Sequence, residues 1–521
     1  MKAQARTIII GAGIGGLAAA LRLRALGREV LVLERAAEVG GKMRVVPSEA
    51  GPVDTGPTVL TMKPVFDALF SDIGEDLADH VTFVPEPHLA RHWWRDGAVL
   101  DLWQDRTRSA EEIGGVFGTR ARRDYERFAA KAARLFAAFD APMMRTGRPN
   151  PLAVTGRVLR EPSLIRAMAP FRTLAQSLSR DFRDPHLRQL FGRYATYVGG
   201  SPYRSPAILS LISQSEAAGV WRVEGGMHAL ALALRRLAEA RGVRFRMHTE
   251  VTRVEVQEGA VRAVHTRDGR HACAEAVFNG DPRALTQGLL GPSAARTVDA
   301  ASLERRSLSA RVWAFAAAPT APATPEGPEG PELVHHNVFF AADPAAEFGA
   351  LARGDMPEDA TLYICAEDRG TGRSPPALER FEIIMNAAPL DTRADADLPA
   401  AKEIDTCRQR MLWTLAQFGL TFERSPPSGA LTTPRGWEAL YPGSAGSLYG
   451  QSPHGMMAAF ARPTARTRLR GLYLVGGGTH PGAGVPMATL SAAHVAAAIA
   501  EDRTLTSTSR PTAMHGGMST A

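Results

Sequence analysis

The sequence predicts an α/β protein: a Rossmann-like dinucleotide-binding domain combined with an α+β domain and a helical lobe. Three observations carry that prediction. The chain opens with a β-branched strand, a glycine-rich turn and a helix; short strand patterns return over 243–277 and again near 472–475; and the stretch 110–211 reads mainly helical. At 521 residues the chain exceeds one ordinary domain and fits about two to four. With 45% hydrophobic and 22% charged residues it has the makings of a sizeable core, which excludes a disordered or collagen-like chain. A net charge of +7 is thin over this length; it permits an anionic surface as partner without requiring one. Cys273, Cys365 and Cys407 lie far apart with no CxxC, so neither a disulfide framework nor a cysteine metal site is expected, and a reducing, cytoplasmic location fits. Glycines 11, 13, 15 and 16 interrupt the first apolar stretch, which excludes a secretory signal, and no window is apolar enough for a membrane span.

Element by element, Thr7–Ile10 is a buried parallel strand, Leu17–Leu26 a helix stopped by Gly27, and Val30–Leu33 a second strand ending at Glu34. Lys63–Ile73 has helical spacing. His92–Leu102 reads as a hairpin turning at Arg95-Asp96-Gly97. Prolines 151, 162, 170 and 185 divide the helical stretch. Ala229–Ala240 is helical, and Val243–Val277 alternates in short strands with turns at Glu258-Gly259 and Arg267-Asp268-Gly269. Pro319–Pro331 reads as a surface loop. Leu362–Cys365, Phe381–Met385 and Leu472–Val475 are strands, and Ala400–Gln417 and Ala488–Ala500 helices.

The sharpest local signal is Gly11-Ala12-Gly13-Ile14-Gly15-Gly16 between strand and helix. Gly11 permits the tight turn, Gly13 lets backbone approach a pyrophosphate, and Gly16 lets helix pack on strand. The diphosphate then meets free N–H groups at a helix N-terminus. Glu34 follows at the end of the second strand, where a carboxylate accepts from a ribose diol. Arg35 and then Gly40-Gly41-Lys42-Met43-Arg44 come next. This second glycine pair suits a cofactor with more to hold than an adenosine half, and Lys42 or Arg44 could neutralise phosphate charge.

Those residues, with Asp54-Thr55-Gly56-Pro57-Thr58 behind them, resemble the FAD-binding start of the flavin amine oxidase and carotenoid desaturase superfamily. The run Gly471–Met487 is similar to the carotenoid desaturase signature. Arg183–Gln189, Val198–Tyr203 and Val220–Met227 also match, in the family's order, so the likeness covers nearly the whole chain. Within the family, His335–Phe340, Leu362–Arg369 and Pro486–Ser491 look most like the 1-hydroxycarotenoid 3,4-desaturases, also called methoxyneurosporene dehydrogenases. The resemblance implies an FAD domain in three pieces (1–75, 219–285 and 466–502), a substrate domain in two (76–108 and 286–465), a helical membrane and substrate lobe over 109–218, and a disordered tail over 503–521. It also implies that Thr58 belongs to the cofactor site and that Val251 lies by the adenine. Gly477, Gly478 and Thr479 would approach the ribityl side, with Val485, Pro486 and Met487 opening a helix aimed at the flavin. Gly478 stands where many flavoproteins of the wider superfamily place an acid.

No Ser/His/Asp nucleophile motif, HExxH, P-loop or spaced metal ligands appear. His335-His336 reads as structural, its rings expected on opposite faces of a strand. His480 is either an acid–base group or a satisfied turn residue, and Arg172 either a substrate neighbour or a solvated helix cation. A flavin can take hydride from an allylic C–H while a proton leaves, so an apolar pocket with one base at most suffices. Ten arginines over 145–193 stand against Glu161, Asp181 and Asp184, with apolar residues between them. Such an amphipathic face suits an anionic bilayer, where an acyclic carotenoid would be dissolved. Nucleic acid is not expected, because the charge is dispersed and lacks aromatic platforms. The combined expectation is an FAD-dependent carotenoid 3,4-desaturase, peripheral to the inner or photosynthetic membrane and passing electrons to oxygen or a quinone. The alternatives are a multistep phytoene-type desaturase, a carotene isomerase and a flavin-free lipid-binding escort module.

Overall fold

The computed structural model describes residues 6–320, 330–390 and 400–508. Its first layer is a five-stranded parallel sheet in the order Arg244–Arg246, Glu29–Leu33, Arg6–Ile10, Glu275–Phe278, Leu472–Leu474. Three distant parts of the chain therefore meet in one sheet. Alternation along the strands explains why both faces are buried. Ile9, Val30 and Val32 pack with Leu17, Leu21, Leu230, Leu234, Val495 and Ile499 of the helices Ile14–Ala25, Met227–Ala240 and Val485–Thr508. Ile8, Ile10, Leu31 and Leu33 face the other way, against Val254, Val261 and Val264 of the antiparallel sheet Val251–Gln257, Ala260–Thr266, Gly269–Ala272. The first helix begins at Ile14, three residues before the periodic pattern does, and ends ahead of Gly27, which takes φ +74°.

The second layer is a seven-stranded sheet, ordered Leu431–Thr432, Ser309–Ala317, Glu379–Ala387, Leu362–Ala366, His336–Phe339, His88–Trp93, Val99–Trp103. All its pairs are antiparallel except His336–Phe339 with His88–Trp93. The hairpin starts at His88, before the expected His92; Leu89 and Ala90 are both buried, and the register shifts between His88 and Ala90, which breaks the alternation there. One face packs Trp313, Phe339, Ile364, Phe381 and Ile383 against the helix Ala400–Ala416. The other carries Val338, Phe340 and Trp94 toward the helical lobe, where they meet Phe182, Leu187 and Phe191.

In that lobe the prolines act as punctuation. Pro151 and Pro185 occupy first turns of helices capped by Asn150 and Asp184, and Pro162 precedes the helix Ser163–Met168. One expectation is corrected at the C-terminus: the last helix continues to Thr508, so 503–508 are helical, while 509–521 lie outside the described residues. The loop expected over Pro319–Pro331 starts with the two-residue strand Pro319–Thr320, and 321–329 lie outside the described residues. No described helix is long and apolar enough to cross a membrane.

Candidate cofactor site and active face

The glycine turn forms a cradle at the carboxyl ends of the parallel strands. Gly13 opens the first helix with no side chain in the way; a Cβ there would sit 3.1 Å from Asn279 Nδ2 and 3.9 Å from Gly40 O. Gly16 is fully closed in, since a Cβ would come 2.2 Å from Gly11 O. Gly40 N donates to Ala12 O (2.9 Å), which lays the second glycine pair against the first, and a Cβ on Gly41 would sit 3.2 Å from Gly13 Cα. Glu34 accepts from Ala12 N (2.6 Å) and Ala36 N (2.8 Å). A carboxylate offers about four acceptor positions, so capacity remains for ribose hydroxyls. Val251 begins its strand two residues after Thr249, whose N donates to the main-chain carbonyl of Glu34 at 2.7 Å.

Farther along, Lys42 is half-buried with its ammonium on Leu448 O and over the Tyr441 ring; desolvation pushes its pKa down to about 8. Arg44 stacks on Trp437, and its Nη2 donates to Thr432 Oγ1 at 2.6 Å. Arg35 is exposed and bonded to Ala439 O. Gly478 admits no side chain, because a Cβ would meet Pro282 Cδ at 2.5 Å; the acid found there in other flavoproteins has no room. Gly477 lies against Ala483, at the entry to the helix that Val485, Pro486 and Met487 begin. Thr479 Oγ1 is buried without a partner. Bare glycine backbone at a helix N-terminus, a strand-end carboxylate, two cations and an orphaned hydroxyl together fit FAD, and Gly11, Gly13, Glu34, Gly41, Lys42, Arg44, Thr479 and the 485–487 turn would hold it.

Thr58 reaches the second sheet: its Oγ1 lies 2.7 Å from Tyr363 OH, which lies 2.7 Å from His336 Nδ1. Two acids, one buried and one half-buried, hold the loop that carries it. Glu367 Oε1 accepts from Asp54 N (2.7 Å) and Glu382 Oε1 from Gly56 N (2.6 Å). Burial raises both carboxyls, Glu367 to about 8 and Glu382 well above the usual range. Asp54 in turn accepts from Met227 N and His228 N, capping the helix Met227–Ala240.

The two catalytic candidates separate. His480 is buried, with Nε2 2.9 Å from Thr146 O and its ring stacked on His494 at 5.5 Å, so it is the satisfied turn residue that ties the signature to the lobe. Arg172 lies in the lobe, half-buried beside Phe171, with no ion pair among the described residues. The histidine pair corrects an expectation: the rings of His335 and His336 meet at 4.5 Å because His335 sits just before the strand, off its alternation. They approach Cys365, whose Sγ is 3.7 Å from His335 Nε2, a thiol hydrogen-bond distance.

The sequence reading missed several residues at this site. Asn279 Nδ2 donates to Gly11 O (3.1 Å) and Gly13 O (3.3 Å), locking the cradle. Arg462 donates to Gly477 O (3.0 Å), Tyr449 O (3.0 Å) and Gln451 O (3.2 Å), and Asp281 pairs with Arg306. The signal for Asn279 and Asp281 was present, since Asn-Gly-Asp-Pro follows a parallel strand directly, where ligands of such sheets bind. Arg462 had none.

Residues 14–500 match the model of the family described as flavin containing amine oxidoreductase. The chain belongs to that family. Among curated relatives it is 51% identical to the hydroxyneurosporene desaturase of Cereibacter sphaeroides, over 95% of this chain and 98% of that one. It is 46% identical to the protein of that name from Rhodobacter capsulatus (96% and 99%), and 30% to a lycopene-forming phytoene desaturase of Pseudescherichia vulneris (95% and 99%). Among solved structures, an oxidoreductase of Methanosarcina mazei superposes with TM-score 0.60 at 15% identity, over 94% of this chain and 99% of that one. A putrescine oxidase variant superposes with TM-score 0.59, also at 15% identity, over 96% and 99%. These structures share the fold. Family and cradle together make the chain an FAD-dependent oxidoreductase, with a likeness to carotenoid desaturases along its whole length.

Proposed function

We propose that this oxidoreductase introduces the 3,4 double bond into an acyclic 1-hydroxycarotenoid, a step of spheroidene- or spirilloxanthin-type carotenoid biosynthesis. The observation that carries the reading is whole-chain identity of 51% and 46% to relatives named hydroxyneurosporene desaturase, together with an intact glycine cradle. Bound there, FAD supplies the acceptor for two electrons and one of the two hydrogens removed. The chain's own contribution is position and dryness. On the lobe-facing side of the seven-stranded sheet lies a cavity of about 550 Å³, lined by Trp94, Leu178, Tyr203, Phe340 and Phe348, which suits a polyene. The polyene itself eases the reaction by delocalising positive charge that develops as hydride departs, so no strong base is needed.

The lobe is also the proposed membrane contact. Leu152, Leu159, Ile165 and Phe171 are exposed at 82%, 72%, 49% and 91%. Arg148, Arg160, Arg166 and Arg172 stand among them without an ion pair among the described residues. Apolar side chains ringed by cations favour an anionic bilayer, the solvent from which a carotenoid is drawn. The reading thus places the enzyme on the cytoplasmic side of the inner or photosynthetic membrane, with oxygen or a membrane quinone as electron acceptor.

Product analysis tests the reaction. Offered separately a 1-hydroxycarotenoid and phytoene, the holoenzyme should remove two mass units from the first and lengthen its chromophore. Repeated loss from phytoene alone would establish the multistep alternative, and unchanged mass with altered geometry the isomerase.

A further inference from the structure

Two carboxyls in the substrate domain each have a buried oxygen without a partner, Glu382 Oε2 and Glu347 Oε1. Glu382 belongs to one face of the seven-stranded sheet, and Glu347, on the helix Pro344–Arg353, lies against that same face. Directly opposed residues of neighbouring strands share a face, so Glu382 lies with Cys365, Ile384 with Tyr363, and His336 with Cys365. Counting by twos along each strand, the same face carries Asn386, Thr361, Phe340 and Trp94, all of which line the 550 Å³ cavity. That face therefore runs from the cavity wall to Glu382, whose own side chain is buried just beyond the cavity lining. Glu347 sits over the far end of the face, accepting from Thr361 Oγ1 at 2.8 Å. Glu382 sits at the near end, four residues from Asn386, or roughly 13 Å along an extended strand.

That near end is the cofactor end. Glu382 Oε1 holds Gly56 N at 2.6 Å, and Gly56 is pressed so closely on Lys42 that a Cβ would come 2.0 Å from the Lys42 carbonyl. The Thr58 and Tyr363 hydroxyls bond to each other beside it on the same loop and face. A 1-hydroxycarotenoid carries its oxygen only two carbons from the nearer atom of the bond to be desaturated. Whatever binds that oxygen must lie next to the reacting carbons, which excludes Glu347 and selects the Glu382 end.

We propose that Glu382, assisted by the Thr58 and Tyr363 hydroxyls, binds the substrate's hydroxyl and so selects hydroxylated over purely hydrocarbon end groups. This assignment rests on the reaction proposed above. A hydrocarbon end leaves the buried Oε2 unmatched, and a site built around a substrate hydroxyl discriminates through that unmatched group. Burial raises the Glu382 carboxyl well above its usual range and so favours its protonated form, whose Oε2–H donates to the alcohol oxygen while Oε1 stays on Gly56 N. Tyr363 OH, already between Thr58 and His336, has one further acceptor position for the same alcohol.

The test compares holoenzymes carrying Glu382→Leu, Glu382→Gln and Tyr363→Phe with the wild type. The substrates are a 1-hydroxycarotenoid and the same carotenoid lacking the hydroxyl. Two quantities are read for each: kcat/KM, and the dissociation constant from the pigment's absorption shift on the anaerobically reduced enzyme, where no turnover occurs. In E382L the preference for the hydroxylated pigment should fall about 10- to 100-fold in both quantities. In E382Q, whose amide still bonds to Gly56 and the alcohol, the preference should stay within about fivefold of wild type. Y363F should lower it by about threefold or more, and it decides the matter if E382L does not load FAD. An unchanged preference in E382L with full FAD content, or in Y363F when E382L does not load, overturns the assignment. A wild type that never desaturates the hydroxylated pigment sinks the functional reading instead, and the binding preference then reports on Glu382 separately.

Discussion

Replacing Gly13 by valine isolates the cofactor cradle from the fold. Gly13 has φ −70° and ψ 172°, extended backbone that any residue adopts, so no strain arises there. A Cβ would press only on Asn279 Nδ2 at 3.1 Å, a side-chain amide able to yield. Losing glycine at the N-cap of the helix Ile14–Ala25 costs about 1 kcal/mol, which in a chain of this size shifts Tm by about 2 °C. Cofactor binding responds very differently. Valine's bulk at the turn whose backbone would receive the diphosphate should hold the cofactor away, and loss of two charge-assisted backbone hydrogen bonds at about 1.5–3 kcal/mol each would weaken FAD binding by about 10²–10⁴-fold. Titration of deflavinated protein with FAD, followed by flavin fluorescence, measures the second effect and a thermal melt the first. Gly16→Ala is the contrasting control: its Cβ would lie 2.2 Å from Gly11 O and 2.9 Å from Asn279 Nδ2, so that variant should lose the strand–helix junction itself. A folded G13V protein that binds FAD within threefold of wild type would refute the placement of the diphosphate.

Two other outcomes follow from the same geometry. Burial lowers the Lys42 pKa to about 8, and the protonated form is the one that pairs with phosphate; FAD affinity should therefore be greatest below pH 8 and fall above it, by at most about tenfold per pH unit. Lys42→Met should bind FAD more weakly at pH 7 and show a flat profile from pH 7 to 10 in the same titration; a wild-type profile already flat would contradict the role. Leu159→Asp combined with Phe171→Asp removes two exposed apolar contacts, 72% and 91% exposed, and should cut sedimentation with anionic vesicles at least tenfold, while FAD content stays full. Equal sedimentation of that variant and wild type would remove the lobe from the membrane contact.

Much of the nucleotide domain was legible because its constraints are local. A β-branched strand, the Gly11–Gly16 turn, a helix and Glu34 lie within a few tens of residues, and each glycine answers a steric demand that the structure shows within ångströms. The helix limits, the hairpin start and the C-terminal end were less legible, since a register shift in the hairpin and tertiary packing elsewhere carry elements past their apparent pattern. Arg503–Thr508, mostly polar and unpatterned, continue a helix whose preceding turns are fixed by packing on the first helix.

What the sequence by itself determined is the cofactor grip and the family resemblance, both written in short contiguous runs. Only the tertiary structure decided that Asn279 locks the cradle, that Arg462 pins Gly477, that His480 is bonded to Thr146, and that Glu382 reaches Gly56 across 326 residues of chain. Those roles depend on which strand lies beside which and which face a side chain takes. A one-dimensional pattern does not encode such pairings, because the burial that makes an unpartnered carboxyl meaningful exists only once the sheets have packed.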